Sequence, residues 1–159
     1  MRVLADTSVW LDHLRNGDEL VNQLADAKRL VMHPFVIGEL SMGNLHDRAK
    51  FLRRLKQMRS IAKVEDGEVM ALVEANRLFG SGIGWADAHL LTSVLLTDDV
   101  KLWTRDRRLN AAAERLGCAA VLHVASPLTA TKDAEIGWTN RQGLSDIANQ
   151  FHYYRLTED

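Results

Sequence analysis

The stretch Arg2-Val3-Leu4-Ala5-Asp6-Thr7-Ser8-Val9-Trp10 decides the fold class, because a strand pattern passes directly into a helix pattern. Residues 2–5 form a short apolar run that is typical of a buried strand, and the run ends at Asp6. Thr7 or Ser8 can cap a helix whose apolar face begins at Val9. A strand followed at once by a helix indicates the first unit of an alternating β/α chain.

The rest of the N-terminal part of the chain continues this alternation. Short strands between helices favour a parallel sheet covered on both faces. We therefore predict an α/β fold, a three-layer sandwich with a short parallel sheet flanked by helices, in residues 1–124. Residues 125–159 are predicted to be a C-terminal extension of unknown role, with a helical pattern only at 144–151. The other predicted strands are 30–32, 61–64, 101–104 and 120–124, and the other helices are 20–27, 35–45 after Pro34, 47–58 capped by Asp47, 67–78, 86–96 and 106–116.

Composition limits the class of protein. A chain of 159 residues suits one domain with a single core. The single cysteine, Cys118, excludes an intrachain disulfide and a cysteine-based zinc site, and it favours a reducing cytoplasm. No apolar run approaches the roughly 20 residues that span a bilayer, so no membrane is expected. The formal net charge of -1 means that a nucleic-acid partner must be argued from local patches.

Four acidic residues fall at places where this layout predicts a functional site. Asp6 ends the first strand and Asp106 closely follows the strand at 101–104, so both lie at the carboxyl edge of the sheet, where open parallel sheets bind ligands. Asp87 lies in the first turn of an otherwise apolar helix. Glu39 has apolar neighbours at spacings of three and four, so we expect it to point with the apolar face, where a carboxylate needs a partner.

Each acid also has an ordinary structural explanation, and these alternatives stay open. Asp6 and Asp106 could each cap the helix that follows, and Asp87 could interact with a helix dipole. Glu39 could reach an arginine. The common placement of all four at one edge of the sheet favours a shared role over four separate ones.

Electrostatics limits what such a cluster can be. Two carboxylates about 5 Å apart repel by roughly 3 kcal/mol at an effective dielectric near 20. Four ionised acids form six such pairs, which is comparable with the whole stability of a domain, about 5–15 kcal/mol. The cluster must therefore be protonated, paired with basic groups or filled by a cation. No Lys or Arg is obviously placed to fill it, and all-oxygen ligands favour Mg²⁺ or Mn²⁺.

With these residues in hand, the chain resembles the PIN-domain family, specifically VapC-type toxin ribonucleases of bacterial type II toxin–antitoxin systems. The resemblance covers roughly residues 1–124, and the extension after it has no counterpart in the family pattern. The matching stretches are Leu4-Ala5-Asp6-Thr7-Ser8-Val9-Trp10-Leu11-Asp12, Glu39-Leu40 with Gly43, Gly82-Ile83-Gly84-Trp85-Ala86-Asp87-Ala88-His89-Leu90-Leu91, and Leu102-Trp103-Thr104-Arg105-Asp106-Arg107-Arg108-Leu109.

The resemblance implies a metal-dependent endoribonuclease that hydrolyses RNA phosphodiester bonds and acts as a toxin. Asp6, Glu39, Asp87 and Asp106 match the catalytic, metal-holding acids of the family, with Mg²⁺ as the expected ion and Mn²⁺ as a substitute. It further implies a small antitoxin protein that covers the site, and a homodimer.

Basic residues near these acids are candidates for binding nucleic acid. Arg105 and Arg107 flank Asp106 and are well placed for phosphates. Arg53 and Arg54 belong to a basic helix, for which an ordinary solvated face is the alternative. Phosphate contacts would make binding sensitive to salt.

Three other functions compete with a toxin ribonuclease. A haloacid-dehalogenase-like phosphatase also has an aspartate after its first strand, but it needs a second aspartate two residues later, where this chain has Ser8. A PIN-like nuclease could act in RNA maturation or on structured DNA. A catalytically silent binding module could keep the same fold.

Overall fold

A computed structural model describes residues 1–122 of the chain. Within them, three strands alternate with seven helices, as the sequence predicts for an α/β fold. The elements are β1 (Arg2–Ala5), α1 (Thr7–Asn16), α2 (Glu19–Asp26), β2 (Leu30–Val31), α3 (Pro34–Met42), α4 (Arg48–Gln57), α5 (Asp66–Ala75), α6 (Trp85–Leu95), β3 (Val100–Trp103) and α7 (Arg107–Arg115).

The sheet is parallel and has the strand order β2-β1-β3. The first strand is therefore the central one, and Val3, Leu4 and Ala5 have no exposed surface. Ladder pairing extends one residue beyond β1, because the Asp6 N–H donates to the Trp103 carbonyl at 3.0 Å. The carboxyl ends of β1 and β3 thus meet at one edge of the sheet.

Helices flank this sheet, which confirms the predicted fold class. Helix α6 is buried from Ala88 to Val94, as its nearly continuous apolar sequence predicts, and it packs against α5 and β3. No helix within residues 1–122 has both the length and the apolar character needed to cross a membrane.

Two predicted strands are wrong for the residues that the structure describes. At 61–64 only Ile61 is buried, while Ala62 and Lys63 are exposed, and pairing is reduced to a single bridge between Met32 and Ser60. The second range, 120–124, follows a single bridge between Leu102 and Ala119, and residues 120–122 form no strand. Residues 123–124 and the predicted helix at 144–151 lie outside the described residues.

The structure differs from the sequence prediction at the N-caps of two helices, α1 and α4. Asp6 itself caps α1, by accepting from the Val9 N–H, so neither Thr7 nor Ser8 is the cap. Asp47 precedes α4 but makes no side-chain cap hydrogen bond, because its backbone is left-handed (φ 48°). The remaining boundaries differ from the prediction by a few residues at most, which is the usual uncertainty of helix ends.

His33 couples the stability of this fold to pH. It is fully buried, Nδ1 accepts from the Phe35 N–H at 3.1 Å, and Nε2 lies 3.1 Å from Ser93 Oγ. Burial, together with the smaller effect of the charges of His89 and Lys63, lowers the pKa of His33 from 6.5 to about 4. The unfolded chain therefore takes up the proton first, so stability present at pH 7 is lost as the pH falls from about 6.5 to about 4.

We expect His33 to cost the wild-type protein roughly 2 kcal/mol of its free energy of unfolding between pH 7 and pH 4.5. The variant His33→Asn keeps an oxygen that can accept from the Phe35 N–H, and it should not show this loss. Urea denaturation of both proteins at the two pH values measures this difference. The absolute stability of the variant is not the test, because the substitution also changes packing. Equal losses in wild type and variant would contradict the assignment.

Candidate active site

The structure brings the four predicted acids into one connected neighbourhood at the carboxyl edge of the sheet. Asp6 directly follows β1, Asp87 lies in the first turn of α6, and Asp106 follows β3. The charge of Asp87 acts on Asp6, and that of Asp106 acts on Asp87, so the three carboxylates form a row. Glu39 joins through Thr7, whose hydroxyl donates to Glu39 Oε2.

Asp6 is the buried member of the row, with only 6% of its surface exposed. Its Oδ1 accepts from Ser8 Oγ at 2.6 Å and from the Val9 N–H at 3.1 Å, and its Oδ2 accepts from Thr104 Oγ1 at 2.7 Å. Burial raises the pKa of Asp6, these hydrogen bonds oppose the rise, and the charge of Asp87 adds to it. The carboxylate is thus held by three hydrogen bonds, and no basic side chain within residues 1–122 forms an ion pair with it.

Asp87 is partly buried, and the turn before α6 holds it in place. Its Oδ2 accepts from the Gly84 N–H at 2.8 Å, which ties the side chain to the start of the helix. Burial raises the pKa of Asp87, the bond from Gly84 opposes the rise, and the charge of Asp106 adds to it. Its Oδ1 accepts no hydrogen bond from the residues that the structure describes, so it is available to a ligand.

Asp106 caps α7, and its charge acts on Asp87. Oδ1 accepts from the N–H groups of Arg108 and Leu109 at 2.7 and 2.9 Å. The Asp106 N–H donates to Thr104 Oγ1 at 3.0 Å, and the same hydroxyl bonds Asp6. Asp6 and Asp106 therefore each cap a helix and also belong to the row of carboxylates.

Glu39 differs from the prediction. Its side chain is exposed rather than directed with the apolar face of α3, whose buried positions are Val36 and Leu40. Helix α3 is short and turns its apolar side inward through those two residues, which leaves Glu39 at the rim of the site. Its partner is the hydroxyl of Thr7 and not an arginine.

The chemistry of this donor set fits a hard divalent cation. Within residues 1–122, no basic side chain forms an ion pair with any of the four acids. Nor do any three of the described His, Cys, Asp and Glu side chains converge as a complete set of metal ligands. Mg²⁺ keeps several waters and binds through one or two carboxylates plus substrate phosphate, so two neighbouring carboxylates such as Asp6 and Asp87 would be enough for this ion.

The predicted nucleic-acid-binding arginines have different surroundings. Arg105 is engaged with acids, since Nη2 lies 2.6 Å from Asp18 Oδ2 and Nε lies 3.6 Å from Asp12 Oδ2. Arg107 and Arg53 are exposed, and Arg54 is half-buried on α4. A role for any of them in binding nucleic acid stays a prediction.

Sequence reasoning missed the role of Ser8. Its hydroxyl donates to Asp6 and accepts from the Arg105 N–H at 2.9 Å, so it joins the ends of β1 and β3. The available signal is its spacing, because a hydroxyl two residues after a strand-end aspartate can reach back to that carboxylate.

Comparison with known proteins identifies the family of this chain. The model of the PIN domain family matches residues 3–115. Ribonuclease VapC32 of Mycobacterium tuberculosis, from strains CDC 1551 / Oshkosh and ATCC 25618 / H37Rv, is 42% identical over 117 residues. The match covers 74% of this chain and 94% of that protein. The chain is therefore a member of the PIN-domain family, and within that family it is similar to the VapC ribonucleases.

Proposed function

We propose that this protein is a divalent-metal-dependent endoribonuclease that hydrolyses RNA phosphodiester bonds, and that it acts as the toxin of a toxin–antitoxin pair. One observation carries the proposal. Asp6, Asp87 and Asp106 form a row at the edge of the sheet with no basic partner among the described residues, in a chain that is 42% identical to a ribonuclease.

The proposed roles follow from the surroundings of each acid. A bound divalent cation supplies positive charge that polarises the phosphoryl group and lowers the pKa of an attacking water. Asp6 and Asp87 would hold it, since hydrogen bonds fix both carboxylates and no basic side chain in the described part of the chain pairs with either. Asp106, fixed by its capping bonds, would orient water or supply a further oxygen ligand. Glu39, exposed beside Thr7, would accept a proton at the open side of the site.

Partners and metal identity belong to the same proposal. Mg²⁺ is the proposed ion and Mn²⁺ the substitute, because both prefer carboxylate oxygen. A small antitoxin would silence the enzyme by covering the acids, and the active form would be a homodimer. A nuclease domain in residues 1–124, an added C-terminal extension and a cytoplasmic location complete the proposal.

Metal withdrawal tests the proposed function directly. We expect the purified protein to cleave single-stranded RNA in Mg²⁺ or Mn²⁺, to lose cleavage in EDTA, and to recover when the metal is restored. Gel analysis of a labelled RNA measures this. Expression of the protein alone, and together with the product of a small open reading frame adjacent to its gene, tests the toxin role through growth arrest and its relief.

The alternative functions give different results in these experiments. Metal-dependent cleavage without growth arrest would favour RNA maturation, and preferred cleavage of a DNA hairpin would favour a structure-specific nuclease. No cleavage by inhibitor-free protein across a metal titration would leave only a binding module.

A further inference from the structure

A hollow of about 400 Å³ lies between α7 and the loop that precedes α6. Its lining combines three arginines with one serine and two alanines. We call it the arginine hollow, and its lining residues are Ser81, Arg107, Arg108, Ala111, Ala112 and Arg115.

The arginines of this hollow lack acidic partners. All three are exposed, and no carboxylate among the described residues forms an ion pair with any of them. Arg105, close by in sequence, is instead paired with Asp18. Like charges gathered without counter-charges repel each other, and a bound anion would relieve this repulsion.

The hollow is built by specific packing rather than by chance exposure. Gly82 has a φ of +81°, and a Cβ at this position would lie 2.8 Å from Cδ of Arg108. Glycine is favoured here because its positive φ strains other residues, and it also lets the loop lie against the Arg108 side chain. On the far side, Arg115 Nη2 donates to the Asn76 carbonyl at 3.0 Å, which fixes that arginine at the wall.

The hollow adjoins the proposed active site at two points. Helix α7, which carries the arginines, begins directly after Asp106, and the loop that carries Gly82 continues to Gly84, whose N–H bonds Asp87. From Arg107 to Arg115 the helix advances about 12 Å, or roughly two turns. The positive surface thus leads away from the acidic row along one helix.

We propose that the arginine hollow binds backbone phosphates of the RNA next to the bond that is cleaved, an inference that rests on the proposed function. Carboxylates at the site repel a polyanion, so binding needs positive charge just beyond them. Arginine binds phosphate through two parallel hydrogen bonds. An acidic protein partner would meet the same positive charges, and binding of polyglutamate distinguishes it from RNA.

The test compares full-length wild type with the double variant Arg107→Gln/Arg115→Gln in Mg²⁺, using a single-stranded RNA of about 12 nucleotides. We expect KM to rise about tenfold and kcat to stay within about twofold. The slope of log KM against log salt concentration should fall by roughly 0.7 for each arginine removed. A dinucleotide substrate, which has no further phosphates, should be cleaved equally by both proteins.

Lys28→Gln is the control for removing a positive charge elsewhere on the surface, because this exposed lysine precedes β2 at the opposite edge of the sheet. It should leave KM and the salt slope unchanged. An unchanged KM in the double variant, or an equal rise with Lys28→Gln, would overturn the proposal. So would normal RNA binding together with lost binding of polyglutamate, which would assign the hollow to an acidic protein.

A second measurement separates this inference from the proposed function. Fluorescence anisotropy of the labelled RNA with Asp87→Asn in EDTA reports binding without cleavage. Weaker RNA binding after the two arginine substitutions supports phosphate binding by the arginine hollow, even if the wild-type protein cleaves nothing. If the wild-type protein cleaves RNA and the substitutions leave RNA binding unchanged, the proposed function stands and the role of the hollow is rejected.

Discussion

Asp87→Asn is expected to reduce RNA cleavage by at least about 100-fold while the protein stays folded. Asparagine keeps an oxygen that can accept from the Gly84 N–H, so the start of α6 is preserved. The substitution removes the negative charge that would hold a cation, so catalysis is lost without loss of structure. Initial cleavage rates in Mg²⁺ and a thermal melt, run on the same sample, measure the two effects.

Glu68→Gln is the matched control for this prediction. Glu68 occupies the same position in α5 that Asp87 occupies in α6, and its side chain accepts from the Glu65 N–H at 3.0 Å. It is exposed and lies outside the acidic row. Cleavage should stay at the wild-type rate. Retained activity in Asp87→Asn would remove this carboxylate from the mechanism.

The second large effect is expected at Asp6, where two substitutions separate two roles of one carboxylate. Both Asp6→Asn and Asp6→Ala should lower cleavage by about 100-fold or more, because neither can bind a cation through charge. Only asparagine can still accept from the Val9 N–H as the cap of α1. The alanine variant should therefore be less stable than the asparagine variant by about 1 kcal/mol.

Urea denaturation of the two variants in EDTA measures this difference, because the charge is absent from both and cancels. Equal stability would mean that the Asp6 cap contributes nothing to α1. Equal activity of wild type and Asp6→Asn would remove Asp6 from the proposed cation site, whatever the stabilities are.

Strand ends explain why much of the site could be predicted from the sequence. Asp6 and Asp106 follow apolar runs, and parallel strands end at one edge, so their proximity follows from topology. Asp87 was recognisable because a charged residue in an otherwise apolar helix has few stable environments. These arguments need only the class of fold, which the alternation of strands and helices indicates.

Other features depend on tertiary contacts that no local pattern encodes. The sequence predicts Glu39 on the buried face of α3, but the rotation of this helix is set by Val36 and Leu40. It also predicts that Arg105 is available for phosphate, yet Asp18, distant in sequence, pairs with it. The apolar residues at 61–64 suggested a strand, but only Ile61 finds a place in the core.

The central position of β1 affects how the protein unfolds. Its amides are bonded to neighbouring chain on both sides, with Val3 donating to Arg29 and Asp6 donating to Trp103. Such backbone opens only when the whole domain opens. We therefore expect the backbone at Asp6 to open only when the domain unfolds, so that the proposed cation site is not lost while the rest of the domain stays folded.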